Sequence, residues 1–135
     1  MARDQTFKRK NIYKDFDLSF NMHPLTRDIG VKLDANAINQ SLKNLISTNY
    51  YERPFQPEVG CNIRSLLFEL ATPITVDDLR QAITETVNNY EPRVELQNVY
   101  IEDRVDINSY HVEIHYTINT EEELVKFTTV LQRLR

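Results

Sequence analysis

The sequence predicts an α+β fold in which three helices pack on a small C-terminal antiparallel three-stranded sheet, preceded by an extended N-terminal arm. Two observations support this prediction. Apolar residues recur at helical spacing through residues 34–90, and from Arg93 onwards they alternate at period two instead. A chain of 135 residues is long enough for one domain with a core of its own. Helices followed by a run of strands are typical of α+β domains.

Composition excludes several classes of protein. Cys61 is the only cysteine, so no intrachain disulfide can form, and a reducing cytoplasm is the expected place of synthesis. The only glycines are Gly30 and Gly60, which excludes the glycine-rich fingerprints of nucleotide-binding loops. No apolar run approaches the ~18 residues of a membrane span, so no membrane contact is expected. The polar start of the chain lacks the apolar segment of a secretory signal.

Residues 1–33 are predicted to form a basic arm and an extended segment, and residues 34–135 a single α+β domain. Within the first fourteen residues the positive charge is opposed only by Asp4, and it lies on Arg3, Lys8, Arg9, Lys10 and Lys14. We favour a partner-docking tail over nucleic-acid binding. Residues 71–135 hold 6 Lys and Arg against 12 Asp and Glu, and this charge would repel a phosphate backbone. Partial alternation up to Phe20 indicates an extended arm rather than an independent strand.

The first helix is expected to begin at Asp34, a residue type favoured at helix N-caps, and to end near Thr48 or Asn49. Its apolar stripe comprises Ala35, Ile38, Leu42, Leu45 and Ile46. A loop is predicted over residues 50–61. Within it, Gly60 is expected where the chain needs a positive φ or close packing.

Two further helices are predicted before residue 92. The first is short, with Asn62 as its cap, Pro73 closing it, and an inner face of Ile63, Leu66, Leu67 and Leu70. Thr75 is expected to cap the other helix, whose apolar stripe comprises Val76, Leu79, Ile83, Val87 and Tyr90. Pro92 should end this helix, because a proline disfavours the helical conformation in the residue before it.

Three strands complete the predicted domain. The clearest alternation predicts a strand with one wet face and a buried face of Tyr110, Val112, Ile114, Tyr116 and Ile118. Before it, a change of register across Gln97–Asn98 indicates a bulge. A turn near residues 106–109 would join these two strands as an antiparallel hairpin. A third strand is predicted from the alternation of Val125, Phe127, Thr129 and Leu131.

The sequence offers few groups for metal or nucleophilic chemistry. His111 and His115 are four residues apart, and on a strand that spacing separates them by about 13 Å, too far to share a metal ion. Cys61 lies beside an apolar helix, which is typical of a buried cysteine rather than a nucleophile. We therefore expect no metal and no cofactor.

Carboxylates are plentiful, and a glycosidase could be imagined from Glu52 or Glu58 acting with Glu69. Such enzymes need two carboxylates at ~5–10 Å across a cleft. No motif marks these residues, and a short chain with three small strands has little room for a saccharide groove. We therefore expect no catalytic residue and no small-molecule substrate.

Two charged islands around proline stand out, Glu52-Arg53-Pro54-Phe55-x-Pro57 and Tyr90-Glu91-Pro92-Arg93. Each places an arginine and a glutamate at a stiff, extended joint between elements. The residues leave two interpretations open. The charges could pair within the chain, as Arg93 with Glu91, or the islands could form an interface. Arginine and tyrosine are favoured interface anchors, and prolines reduce the entropy lost on binding.

These islands carry a family resemblance. The chain presents Arg53-Pro54-Phe55-x-Pro57-x-x-Gly60-Cys61, Leu66-Leu67-Phe68-Glu69, Thr72-Pro73 and Asn89-Tyr90-Glu91-Pro92-Arg93, in that order. This combination closely resembles the small baseplate wedge proteins of contractile phage tails, also called the lysozyme-like or sheath-initiator family. The family includes the counterpart in type VI secretion baseplates. The resemblance covers roughly residues 35–132.

The resemblance implies a structural role in the virion, at the tail baseplate, after assembly in the host cytoplasm. It implies a contact with the helical core bundle of the wedge through Glu91, Pro92 and Arg93. A second interface loop would comprise Arg53, Pro54, Phe55 and Pro57. The tail sheath subunit would pair with the strand that carries Val125, Phe127, Thr129 and Leu131, and the central hub or tube is a further candidate partner. The family name also implies an alternative, a peptidoglycan-degrading lysozyme-like hydrolase.

Overall fold

The computed structural model of the protein describes residues 13–119 and 123–134. The chain separates into two compact units, Met1–Ile38 and Asn39–Arg135. The basic residues of the predicted arm that precede residue 13 lie outside the described residues: Arg3, Lys8, Arg9 and Lys10. The predicted partner-docking role of the arm therefore stays a prediction.

The first unit contains a small two-stranded antiparallel sheet. Strand β1 (Lys14–Phe16) pairs with β2 (Val31–Leu33). Between them the chain folds back on itself, with an isolated bridge between Met22 and Ile29. The prediction of an arm without a strand was wrong, because the partner that makes residues 14–16 a strand comes from a segment fifteen or more residues later in the chain.

Helix α1 (Asp34–Ser47) begins where it was predicted and ends one residue before Thr48. A carboxylate oxygen of Asp34 accepts a hydrogen bond from the backbone N–H of Tyr13 at 3.1 Å. At the other end, the Thr48 hydroxyl donates to the carbonyl of Asn44 at 2.7 Å. This bond competes with continuation of the helix, because a threonine side chain offers the backbone a local alternative partner.

The two following helices differ from their predictions at the ends. Helix α2 (Ile63–Leu66) is a single turn. Helix α3 (Pro73–Tyr90) begins at Pro73 rather than after Thr75, so the predicted role of Pro73 as a terminator was wrong. Proline suits the first position of a helix because its missing N–H would lack an intrahelical partner there anyway.

The cap of α3 is Thr72, whose hydroxyl accepts a hydrogen bond from the N–H of Thr75 at 3.2 Å. Thr75 is instead buried, and its hydroxyl donates to the carbonyl of Leu70 at 2.8 Å. Leu70 is exposed, against its predicted place on an inner helical face, because α2 ends before reaching it.

The second unit ends in an antiparallel sheet with strand order β3-β4-β5, as predicted. Its strands are β3 (Val94–Arg104), β4 (Ser109–Ile118) and β5 (Leu124–Gln132). The register shifts between Leu96 and Asn98, which confirms the predicted bulge. A short 3₁₀ turn (Val105–Ile107) joins β3 to β4, and Asn108 closes it in a left-handed conformation.

The core lies between the inner face of this sheet and the apolar stripes of the helices. Strand β4 alternates as predicted, with buried apolar or aromatic side chains at Tyr110, Val112, Ile114, Tyr116 and Ile118. The helices contribute Leu42, Leu45 and Ile46 from α1 and Leu79, Ile83 and Val87 from α3. The tyrosine hydroxyl of Tyr116 reaches across this core and donates to the amide oxygen of Asn39 at 2.7 Å.

Candidate protein-interaction surfaces

The Glu91-Pro92-Arg93 corner is built around a buried carboxylate. The side chain of Glu91 is only 2% exposed, and Arg93 donates to it from Nε at 2.6 Å and from a terminal nitrogen at 2.8 Å. Ser41 of α1 adds a hydroxyl hydrogen bond at 2.6 Å. The carboxylate therefore joins the end of α3 to α1 and to the start of β3.

Charge-assisted hydrogen bonds keep Glu91 ionised. Burial raises the pKa of the Glu91 carboxyl, but the hydrogen bonds from Arg93 and Ser41 and the charge of Arg93 lower it by more. The pKa therefore lies below its ordinary value. Burial, with a further contribution from the charge of Glu91, raises the pKa of Tyr116 to about 12. The Glu91 carboxylate therefore affects the ionisation of a hydroxyl in the core.

Backbone and side-chain hydrogen bonds hold the corner rigid. The side-chain amide of Asn119 donates to the carbonyl of Pro92 at 2.7 Å. The Asn119 N–H donates to the carbonyl of Arg93 at 3.1 Å. Of the two interpretations of this island, intramolecular pairing is present, and Arg93 keeps about a quarter of its side chain exposed. The predicted wedge contact of these residues stays a prediction.

The second island is an exposed loop fastened at its base. The N–H of Tyr51 donates to the carbonyl of Pro57 at 2.8 Å, and Glu52 accepts hydrogen bonds from the backbone and side-chain amides of Asn49. At the tip, Phe55 is fully exposed and adopts a φ of 70°. A positive φ is uncommon for a bulky residue. The loop therefore holds an aromatic ring in solvent at the cost of backbone strain.

The tertiary structure brings the two islands together. The hydroxyl of Tyr90 donates to the carbonyl of Glu58 at 2.7 Å, which ties the corner to the base of the loop. Ser41, Arg53 and Tyr90 also line one cavity of about 310 Å³. We call residues 53–57 with residues 90–93 the motif surface.

Gly60 lies where this loop packs against the end of α1 and against α3. Its neighbour Cys61 donates from its N–H to the carbonyl of Thr48 at 2.7 Å, and the Thr86 hydroxyl donates to the Gly60 carbonyl at 3.3 Å. A Cβ at position 60 would lie 2.8 Å from the Thr48 oxygen and from the carbonyl carbon of Asn49. With a φ of 155°, this position confirms the predicted need for glycine.

The second candidate surface is the edge of β5. Just beyond the end of β5, the Arg133 N–H donates to the carbonyl of Asn108 at 3.0 Å, so residues 108 and 133 form a hydrogen-bonded pair. In an antiparallel ladder, hydrogen-bonded and non-hydrogen-bonded residue pairs alternate along the strands. With the observed register, the four predicted residues therefore direct their backbone groups at β4: Val125, Phe127, Thr129 and Leu131. The alternate residues direct their N–H and C=O groups away from β4: Leu124, Lys126, Thr128, Val130 and Gln132.

Within the described residues neither outer strand has a strand partner on its outer side, and the edge of β3 is the one that a helix partly covers. The Arg80 side chain of α3 donates from Nε to the carbonyl of Val99 at 3.2 Å, so α3 covers part of the edge of β3. The residues that follow β5 are bound at the end of α2, since the N–H of Leu134 donates to the carbonyl of Leu67 at 3.2 Å. Within the described parts of the chain, no strand pairs with the outward groups of residues 124–132.

The outer face of the sheet carries an ion cluster next to this edge. Glu113 of β4 binds Lys126 of β5 at 2.9 Å and also contacts the ring of His115. Tyr100 packs its ring edge to face with His115 at 5.0 Å. The hydrogen bonds from Lys126 and His115 lower the pKa of Glu113 to about 2. Glu113 and Lys126 therefore form an ion pair across β4 and β5 at neutral pH.

The groups considered for catalysis have other surroundings. Hydrogen bonds from Asn49 lower the pKa of Glu52, whereas a glycosidase general acid needs a raised one. Glu58 and Glu69 are exposed. Burial raises the pKa of the Cys61 thiol, which opposes formation of the nucleophilic thiolate.

Two other kinds of site are absent from the described residues. Among residues 13–119 and 123–134, no group of three or more His, Cys, Asp or Glu is placed to hold a metal ion. No helix in the same ranges combines the length and the hydropathy of a membrane span.

Comparison with known proteins identifies relatives over most of the chain. The model of the family "Baseplate wedge protein gp25" matches residues 33–123. The baseplate wedge protein gp25 of Enterobacteria phage T4 is 35% identical over 107 residues, which are 79% of this chain and 80% of that protein. The family model covers the motif surface and strands β3 and β4, and it ends before β5.

Solved structures share the fold at lower identity. The crystal structure of a proposed tail lysozyme from Geobacter sulfurreducens has a TM-score of 0.68 at 21% identity, covering 73% of this chain and 89% of that chain. The baseplate of the anti-feeding prophage, solved by cryo-EM, contains a chain with a TM-score of 0.63 at 20% identity, covering 91% of this chain and 87% of that chain.

Proposed function

Since the chain belongs to the family of baseplate wedge protein gp25, we propose that it joins the wedge through the motif surface and starts the tail sheath at the open edge of β5. The protein works as a structural part of the virion baseplate after assembly in the host cytoplasm. The observation that carries this proposal is the row of outward backbone groups along β5, which no strand within residues 13–119 and 123–134 pairs with. An open edge is a liability in a free protein and a docking site in an assembly.

The motif surface supports docking on the helical core bundle of the wedge. Phe55 is a fully exposed aromatic ring on a strained backbone, and Arg53 is exposed beside it. Aromatic and arginine side chains dominate the binding energy of protein interfaces. The hydrogen bond from Tyr90 to the base of the loop and the cavity shared by Arg53 and Tyr90 support the use of both islands in one contact.

Replacing Phe55 with alanine is expected to block wedge assembly while the monomer stays folded. The ring has no buried area to lose, so the free energy of unfolding should change little. Loss of a hot-spot aromatic should weaken binding by about thirtyfold or more. The measurement is co-purification of the variant with the other wedge proteins, together with its thermal unfolding.

Phe68→Ala is the matched control, because Phe68 is exposed but lies outside the motif surface. It should assemble like the native protein. If both variants join wedges at native levels, the motif surface does not form the wedge contact.

The side chains along β5 also favour strand addition. Exposed edges are commonly protected by charged residues, above all lysine. The only charged side chain on this edge is Lys126, and Glu113 neutralises it. The other outward positions include the half-exposed Leu124 and Val130 and the β-branched Thr128. These residues suit pairing with a strand from a sheath subunit.

Replacing Thr128 with proline is expected to stop sheath assembly on complete baseplates. Proline removes the outward N–H of residue 128 and leaves the β4–β5 ladder intact, because edge positions tolerate proline. Proline at Phe127 would be a poorer test, since that N–H belongs to the ladder with β4. Electron microscopy of assembled particles measures the number and length of the sheaths.

Thr128→Ala keeps the N–H and serves as the control, with native sheaths expected. Thermal unfolding of both monomers establishes that they are folded. Sheaths of native number and length on Thr128→Pro baseplates would rule out pairing at this edge.

A further inference from the structure

A second cavity shares Tyr90 with the cavity that Arg53 lines. It measures about 390 Å³ and is lined by Tyr50, Tyr51, Pro57, Glu58 and Tyr90. This size falls in the range of roughly 300–1,000 Å³ that is typical of ligand pockets. Three tyrosines and one carboxylate therefore surround a space large enough for a partner side chain.

Hydrogen bonds to backbone carbonyls position two of the tyrosines, Tyr90 and Tyr51. The Tyr90 hydroxyl is fixed on the carbonyl of Glu58 at 2.7 Å. Tyr51 adopts a φ of 67°, and its N–H is bound to Pro57, yet its side chain remains 85% exposed. A strained residue that presents an aromatic ring to solvent is expected where the ring contacts a partner.

The lining of the cavity favours a cation. Among the described residues that line it, Glu58 is acidic and none is a lysine or an arginine. Tyrosine faces themselves attract cations through their ring quadrupoles. Charge complementarity therefore selects a basic side chain as the occupant.

We propose that this tyrosine cavity receives an arginine side chain from a neighbouring subunit of the baseplate. Arginine combines a charge for Glu58 with a planar group that stacks on aromatic rings, so it fits this lining better than lysine does. The inference rests on the proposed wedge contact and names the chemistry of the partner at that surface.

Nα-acetyl-arginine amide, called arginine amide below, is the probe, and the comparison is Nα-acetyl-citrulline amide, called citrulline amide below, which is isosteric but uncharged. Titration of the protein labelled in its tyrosine rings is followed by NMR. Saturable shifts of Tyr50, Tyr51 and Tyr90 are expected with arginine amide alone. Glu58→Gln and Tyr51→Ala should each weaken binding by roughly two- to thirtyfold. Tyr100→Ala, which removes an exposed ring on the outer face of the sheet, should bind normally.

The proposal is overturned if no saturable shift occurs, if citrulline amide binds equally well, or if Tyr100→Ala weakens binding as much as Tyr51→Ala does. Co-purification with wedge proteins separates this result from the broader proposal. Normal wedge assembly of Tyr51→Ala and Glu58→Gln, with failure of Phe55→Ala, would reject the arginine cavity alone. Normal assembly of all three would reject the wedge contact as well.

Discussion

Replacing Arg93 with alanine should lower the free energy of unfolding by about 3 kcal/mol. The variant loses both hydrogen bonds from Arg93 and leaves the Glu91 carboxylate buried, with Ser41 as its remaining described side-chain partner. A buried charge without its counter-ion is more costly than the pair is favourable. Chemical denaturation at neutral pH measures the difference.

The Glu91–Arg93 pair also predicts how the difference in free energy of unfolding between the native protein and Arg93→Ala depends on pH. The pKa of Glu91 in the folded protein lies below its ordinary value of 4.5, so its contribution to stability is present above that pH. The contribution is lost as the pH falls through the folded pKa. Removal of Arg93 raises that pKa, so the gap between native protein and Arg93→Ala should narrow in acid as Glu91 becomes protonated.

Arg104→Ala is the matched control, because Glu102 and Arg104 have the same spacing but are both more than half exposed. Exposed ion pairs contribute at most about 1 kcal/mol. Equal and small losses for the two variants would mean that Glu91 does not depend on Arg93. This design also means that Arg93→Ala cannot by itself test the wedge contact, whereas Phe55→Ala can.

Replacing Gly60 with alanine should lower the free energy of unfolding by at least about 2 kcal/mol, because backbone strain and close contact both oppose a side chain there. The added Cβ would meet backbone atoms of Thr48 and Asn49 at 2.8 Å, and neither can move without disturbing the end of α1. In this variant residues 53–57 of the motif surface should also become more mobile, because Gly60 anchors their loop. Thermal unfolding and proteolysis of the loop measure both effects.

Gly30→Ala is the control, because its effect on the free energy of unfolding is expected to be zero or opposite in sign. A Cβ at position 30 would lie 3.5 Å from its nearest neighbours, which is an ordinary contact. Alanine at a compatible position reduces the entropy of the unfolded chain, so this variant should be unchanged or slightly stabilised. A native-like Gly60→Ala variant would contradict the role assigned to that close approach.

Much of the second unit could be predicted from residue periodicity. The alternation of β4 and the change of register near Gln97 predicted the central strand and the bulge. The pairing of Arg93 with Glu91 was one of two open interpretations, because spacing of two residues permits a pair without requiring one. The start of α3 was missed because proline occurs both at helix starts and after helix ends.

The sequence by itself determined the α+β layout and the motifs that carry the family membership, because hydrophobic periodicity and ordered motifs are local properties of the chain. Only the tertiary structure decided three matters: that residues of both islands line one cavity, that Glu91 is buried beside its arginine, and that α3 covers part of the edge of β3. Each depends on groups distant in sequence, Ser41, Tyr90 and Arg80 among them, whose positions follow from packing rather than from local pattern.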